Sequence, residues 1–499
     1  MYRVAIAPPR GDWATFVPAT IALLAAGVLV GVPWPQNLFL IASGSAFVLA
    51  ALNPPAGLGV LVASIPLQAV GEEQLGPIHL TVTKVILMAM LTAWVGRSLI
   101  ERRSIRVDRT ASFHLAYVAI LAMTIVNVSD RGSWGAELYR WWTPLVVYLI
   151  AINSISSIAE AKPVIWGTAA GTIGTSVVGF VQVIGGYGPE SFDVNGFTRA
   201  FATFGQPNPF AGYLDVSVPM LIAVAAGAIL PTKLGLQKLP IGSPLTWFVA
   251  IAAGCGLASM ILTQSRGGWL GITAGLLCVA WLLGNVVRWT VFGVGIAALA
   301  VVVMTPPGQQ LGGRFANSLS LKSDSVLVTP ENFAVQERLA HWRAGVAMAE
   351  NYPVLGVGAG NYSNRYREYT EVWRFRISRG HAHNAYIHAA AQSGFLGLTS
   401  YLMFLGVAAS QLVRAFRISR SRIERPLVIG AIGVTVAFAV HNVFDYLHVL
   451  SLPLQLGVVW ALAQLVLRNT GGDSDRSTHS PSAARSTWHR PGQMVVGSR

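Results

Sequence analysis

Three histidines fall within eight residues in the run Gly380-His381-Ala382-His383-Asn384-Ala385-Tyr386-Ile387-His388, in a chain with ten histidines altogether. Imidazole titrates near neutral pH, so one of them is a candidate general base. A metal site competes with that reading. His381 and His383 are one residue apart, but no cysteine or carboxylate close in sequence completes a ligand set, so no metal is expected. The plain alternative is a polar helix start with exposed histidines.

Two arginines stand out next. Arg266 sits in Thr263-Gln264-Ser265-Arg266-Gly267-Gly268-Trp269, and Arg199 in Gly196-Phe197-Thr198-Arg199-Ala200-Phe201 ahead of Gln206-Pro207-Asn208. A guanidinium followed by two glycines suits a phosphate, because the fork binds two oxygens and glycine lets the backbone approach. Arg199, among aromatic and amide groups, suits a sugar phosphate at an interface. The competing readings are an arginine snorkelling to lipid headgroups and an aromatic belt with one stray charge. A further pair, His441 and Asp445, has i, i+4 spacing and could be a buried polar pair or an outer support of a site, but a structural hydrogen bond between helices is the favoured reading. Gly356-Val357-Gly358-Ala359-Gly360 lacks a flanking βαβ unit and reads as a turn, not a dinucleotide loop. Arg374, Arg376 and Arg379 form either a solvated face or an attraction for anionic lipid and phosphosugar.

The elements that must position these groups are transmembrane helices. Of 499 residues, 53% are hydrophobic and 11% charged, with mean hydropathy +0.54. Soluble domains carry roughly 25% charge, so an ordinary soluble enzyme is excluded. The net charge of +14 would suggest nucleic acid in a soluble protein, but here it lies mainly in short loops, and no nucleic-acid partner is expected. Apolar windows predict spans at 13–32, 37–52, 56–70, 80–99, 111–128, 141–155, 163–184, 209–230, 245–264, 268–285, 289–305, 387–413, 427–447 and 450–468. Asn53-Pro54-Pro55 splits 37–70 into two short halves, a candidate re-entrant pair. The fold class is therefore all-α integral membrane, a polytopic bundle of about 12–14 helices with one large extracytoplasmic loop.

Alternate short loops carry 15 and 4 basic residues, which places both termini in the cytoplasm. Four regions result: membrane helices over 1–305, an outer loop over 306–386, further membrane helices over 387–468, and a disordered cytoplasmic tail over 469–499. In the loop, Ala334–Glu350 reads as a helix stopped by Asn351-Tyr352-Pro353, with a second short helix around Asn361–Trp373. Cys255 and Cys278 lie in apolar runs and read as packing residues. The N-terminus does not read as a cleavable signal.

With these residues in view, the chain resembles the O-antigen ligase and O-antigen polymerase superfamily of bacterial membrane glycosyltransferases. The likeness rests on Ser265-Arg266-Gly267-Gly268, on Arg338-Leu339-Ala340-His341-Trp342 through Tyr352-Pro353 to Asn361-Tyr362, and on His383-Asn384-Ala385-Tyr386-Ile387 leading into Gln392-Ser393-Gly394. It covers roughly residues 190–450. The resemblance implies a GT-C-like enzyme of the bacterial inner membrane with its site on the periplasmic face. It implies an undecaprenyl-pyrophosphate-linked glycan as donor and a glycan or lipid A–core hydroxyl as acceptor. It further implies that Arg266 and Arg199 bind the pyrophosphate and that His383 is the catalytic base, with no cofactor or metal; His381 and Asn384, beside that base, are expected to contact substrate. Membrane lipids are the remaining expected partners. Ligase, polymerase and protein-directed transferase share this chemistry. A solute transporter is the alternative from a different class.

Overall fold

The computed structural model describes residues 44–68, 73–75 and 78–290, apart from 195 and 230–243, then 293, 296 and 304 singly, and 332–477, apart from 371, 422 and 423. The spans expected at 13–32 and 289–305, residues 37–43, and residues 306–331 of the outer loop fall wholly or almost wholly outside these.

The chain is built from helices whose starts are written in the sequence. After helical residues 44–52, Asn53 caps α1 (Pro54–Ser64), its side chain accepting from the Ala56 amide at 3.2 Å. Helix α2 (Val82–Ile100) starts at Thr81, α3 (Arg109–Met123) at Asp108, α4 (Arg131–Ser154) at Asp130 and α5 (Ile158–Gly185) at Ser157. Each of these side chains accepts from a backbone N–H in the first turn that would otherwise lack a partner. Then follow α6 (Pro207–Ile229), α7 (Pro244–Leu262) and α8 (Arg266–Leu283). The outer loop holds α9 (Phe333–Asn351) and α10 (Tyr362–Tyr369). Last come α11 (Ala385–Ile418), α12 (Glu424–His441) and α13 (Leu452–Ser477). The only strands among the described residues form two small hairpins, β1 (Glu73–Leu75) with β2 (Ile78–Leu80) and β3 (Asp193–Val194) with β4 (Phe197–Thr198).

Eight helices among the described residues are long and apolar enough to cross a membrane, and Pro54–Leu67 and Leu452–Arg468 are shorter apolar helices. The protein is an all-α, multi-pass membrane protein. Helix α4 starts ten residues before the expected 141. Its first turns carry Arg131, Glu137 and Arg140, which an apolar window rejects. Glu137 is nonetheless 2% exposed, bonded to Arg140 at 2.6 Å, Trp141 at 3.0 Å and the Tyr446 hydroxyl at 3.0 Å. The expected 427–447 span ends at His441, and residues 442–451 form a non-helical linker. Helix α13 runs on to Ser477, so the start of the segment expected as a disordered tail is helical, and 478–499 lies outside the described residues.

Two close approaches fix the site end of the bundle. Gly267, Gly271 and Gly275 form an i, i+4 stripe on α8 facing α12. A Cβ at Gly271 would stand 2.8 Å from the Ala437 carbonyl oxygen, and one at Gly275 2.6 Å from that of Gly433. Small residues let the two helices touch at the backbone, which in lipid replaces the hydrophobic drive. The outer loop docks through Gly356, Gly358 and Gly360, with φ of +64°, +100° and +74°. Helix α11 breaks at Gly394 (φ +62°, ψ −161°). The loop supplies partners there: Val357 donates to the Ala391 carbonyl at 2.9 Å, Gly358 to that of Gln392 at 3.1 Å, and Phe395 to that of Pro353 at 2.6 Å. The glycine run is therefore a turn, as expected, and its task is to complete the hydrogen bonds of a broken helix. Asn361 clamps the other side, its amide oxygen accepting from the Ser129 and Asp130 amides at 3.1 and 2.7 Å.

Candidate functional site

The ends of α6, α8, α9, α11 and α12 converge where the loop docks. His383 lies in the turn before α11 with φ +51°, a left-handed conformation that a non-glycine residue holds only when its surroundings enforce it. Those surroundings are explicit. The His383 carbonyl accepts from Trp342 Nε1 at 3.1 Å, and its amide donates to His381 Nδ1 at 3.2 Å. Asn384 then caps α11, accepting from the Tyr386 and Ile387 amides at 2.9 Å each and donating to the Val443 carbonyl at 2.9 Å. The Asn384 amide, expected to touch substrate, is thus committed to capping and to tying α11 to the 442–451 linker.

His383 Nδ1 lies 3.3 Å from Asp445 Oδ1, and His383 Nε2 is buried without a hydrogen-bond partner among the described residues. An imidazole whose Nδ1 is turned to a carboxylate presents Nε2 as an acceptor. The second Asp445 oxygen accepts from Asn208 Nδ2 at 2.8 Å, and the first also from the Tyr446 amide at 2.8 Å. Burial favours the protonated carboxyl. The hydrogen bond from His383 and the nearby Arg338 guanidinium outweigh it, and hold Asp445 well below the usual carboxylate range.

His381 does a different job. Its Nδ1 accepts from the His383 amide, and its ring packs against His383 and Tyr446, with centroids 4.5 and 5.4 Å away. Burial, then the neighbouring His383, push it down to about 3, so it is neutral at working pH. His341, on α9, is also pushed down to about 3, by burial and then by His383. Its ring stacks on Tyr366 at 4.3 Å and meets His383 edge-on at 5.3 Å.

Beside the histidines three guanidiniums gather from distant parts of the chain. Arg199 donates to the Thr263 carbonyl at 2.9 Å and to Asn208 Oδ1 at 3.3 Å. Arg338 donates to the Phe444 and Ala334 carbonyls at 3.1 and 3.3 Å. Arg266 opens α8, where Ser265 caps the helix and Gln264 holds φ +50°. Burial, then the charges of Arg338 and Arg266, push Arg199 down to about 10. Positive charges crowded in a half-buried site repel one another, and an anion among them relieves that repulsion.

The structure thus brings together Arg199, Arg266, His381, His383 and Asp445, and gives the His441 and Asp445 side chains different partners. Helix α12 ends at His441, and although the Asp445 amide still donates to the His441 carbonyl at 3.0 Å, the two side chains take different partners. His441 instead bonds Asp215 of α6, Nδ1 to Oδ2 at 2.6 Å, with both side chains at most 1% exposed. Arg338 and His341 join the site without having been singled out for it, and Asn208 stood only among the amide groups after Arg199. Arg338 and His341 stand in the run that carries the family resemblance, which was their available signal.

His381, His383 and Asp445 place one ligand atom each within 4.8 Å of one another, a geometry that could hold a cation. The missing carboxylate of the sequence argument is therefore present, 62 residues from His383. The charge nearby disfavours a cation, since Arg338 acts on both His381 and Asp445.

Residues 251–402 match the family described as O-Antigen ligase. The matched segment runs from α7 into α11 and includes Arg266, Arg338, His381 and His383. Arg199, Asn208 and Asp445 lie outside it and reach the site only through the fold. The match supports the O-antigen ligase and polymerase family that the sequence resembles. No curated protein matches the chain.

Proposed function

We propose that this protein is a membrane glycosyltransferase of the O-antigen ligase type, moving a glycan from undecaprenyl pyrophosphate to an acceptor hydroxyl at the periplasmic face of the inner membrane. The observation that carries this reading is the juxtaposition of three guanidiniums with the His383–Asp445 pair. Arg199, Arg266 and Arg338 hold the donor pyrophosphate. His383 Nε2 takes the acceptor proton as the acceptor oxygen attacks the anomeric carbon. The bond from that carbon to the pyrophosphate oxygen breaks, and its electron pair leaves with the pyrophosphate. One displacement inverts the anomeric centre. Charge grows on the leaving group as the bond breaks, where the arginines stabilise it most. Asp445 keeps the His383 ring oriented and stabilises it once protonated, and it is a positioning residue.

The direct test is transfer from a lipid-linked glycan by the purified protein in proteoliposomes without an ion gradient. Turnover supports the transferase. Gradient-dependent uptake of a solute with no donor turnover supports a transporter, for which the intramembrane Asp215–His441 pair is the motivating feature. Glycan analysis of a deletion strain separates ligase from polymerase. Uncapped lipid A–core with accumulated polymer marks a ligase, and core capped with single units marks a polymerase.

A further inference from the structure

Helix α4 begins beside the candidate site, where Asn361 binds Ser129 and Asp130, and ends 24 residues later at Ser154. At about 1.5 Å per residue its far end lies roughly 36 Å away. There, on the opposite face of the bundle, a cavity of about 810 Å³ opens between the start of α1, the ends of α2 and α4, the start of α5 and Arg468 of α13. We infer that this cavity binds the headgroup of an anionic phospholipid. The inference does not rest on the proposed transferase activity.

Charge comes first. The lining holds five arginines, Arg97, Arg102, Arg103, Arg106 and Arg468, against the two glutamates Glu101 and Glu160. Glu101 is spent on Arg97, at 2.8 Å, and on Arg103. Glu160 accepts from the Ser156 amide at 2.7 Å. Arg468 is spent on the end of α4, donating to the Ile152 and Ile155 carbonyls at 2.5 Å each. The exposed side chains of Arg102 and Arg106 make no hydrogen bond among the described residues, and they leave the cavity with net positive charge.

Backbone strain comes second. Six described non-glycine residues have positive φ. Ala202, Gln264 and His383 lie in the candidate-site loops, and Leu450 and Ser451 in the linker after Asp445. The sixth is Arg102, at +49° just past the end of α2, its amide donating to the Leu99 carbonyl at 3.3 Å. Glycine fits this helix-ending position without strain. An arginine there costs stability and gains only what its guanidinium does.

The surroundings identify a lipid and not a soluble anion. Leu99 and Ile100 are 73% and 85% exposed at the end of α2, and Ile105 and Val107 follow at 52% and 56%. Trp94 lines the cavity itself. Basic groups alternating with exposed apolar ones at a helix end match a phosphate joined to acyl chains. Basic pockets between helix ends are known headgroup sites.

The test uses the full chain in neutral detergent, titrated with short-chain phosphatidylglycerol, phosphatidylcholine or inorganic phosphate. Binding is read by native mass spectrometry and by Tm. Phosphatidylglycerol should bind and raise Tm, and phosphatidylcholine should do neither. Arg102→Gly combined with Arg106→Gln should weaken phosphatidylglycerol about thirtyfold, at about 1 kcal/mol per basic residue. Arg102→Gly also relaxes the backbone, so the loss does not reflect misfolding. Arg414→Gln with Arg417→Gln, at the far end of α11, should bind as the parent does. Undiminished binding in the Arg102/Arg106 variant overturns the site. So does equal loss in the Arg414/Arg417 variant, which would mean diffuse attraction. Inorganic phosphate competing as strongly as phosphatidylglycerol overturns the lipid assignment.

Discussion

Asp445 and His383 are 62 residues apart, yet their side chains meet at 3.3 Å where the linker after α12 crosses the start of α11. The backbone holds both partners. Ala385 donates to the Asn442 carbonyl at 2.8 Å, and the Asn384 side chain to that of Val443 at 2.9 Å. The imidazole is thereby fixed by its own strained turn, and the carboxylate by Asn208 and the Tyr446 amide.

This relationship separates a base from its support. His383→Ala should lower transfer about 10²- to 10⁴-fold, the usual cost of a removed general base. Asp445→Asn should lower kcat about 10- to 150-fold, the worth of a charge-assisted hydrogen bond. Donor binding should survive in both. Single-turnover assays with separate measurement of donor affinity check this. Normal transfer by His383→Ala returns the histidine cluster to a structural role.

The arginines should divide differently. Arg199→Ala, Arg266→Ala and Arg338→Ala should each cost about 10- to 150-fold in kcat/KM, with weakened donor binding. Arg266→Lys should recover little, because one ammonium cannot reproduce the fork. Unchanged kinetics in Arg338→Ala would remove it from the site.

The Asp215–His441 pair should behave as a buried hydrogen-bonded pair. Removing one partner leaves the other buried and unsatisfied, which costs about 1–3 kcal/mol, so Asp215→Leu should lower Tm and yield. Gly271→Ala should do likewise, because its Cβ would stand 2.8 Å from the Ala437 carbonyl and 3.1 Å from Asp215 Oδ2. Thermal unfolding in detergent measures both. A stable Gly271→Ala protein would show that α8 and α12 can separate freely.

Acid should loosen the site before the membrane core. His341 and His381 are each pushed down to about 3 from 6.5, burial being the largest cause. The folded state then binds fewer protons than the unfolded chain below about pH 6.5. Stability is fully present above that value and is lost as pH falls from 6.5 towards 3. Hydrogen exchange of residues 381–388 against pH measures it, and protection rising on acidification would contradict the sign.

Chelators should leave transfer intact, because Arg338 disfavours a cation at His381, His383 and Asp445. Turnover lost in chelator and restored by a divalent ion would move those residues from base and supports to metal ligands.

Composition and hydropathy alone determined that this is a polytopic helical membrane protein, because lipid lets an apolar stretch satisfy its backbone only as a helix. Asp108, Asp130, Ser157 and Asn384 start their helices through their own side chains, a local interaction readable along the chain. Arg199, Arg266, His381 and His383 were legible because charge and imidazole are costly at a membrane edge. Their partners were not. Asp445 looked like the i+4 mate of His441, and its amide does bond the His441 carbonyl, but its side chain meets His383 and that of His441 meets Asp215. Asn208 and Arg338 join the site because α6 and α9 end beside it. Spacing along one chain fixes neighbours within a helix. Which helix ends meet is decided by the glycine stripe of α8 against α12, and by the loop turn that fills the break in α11.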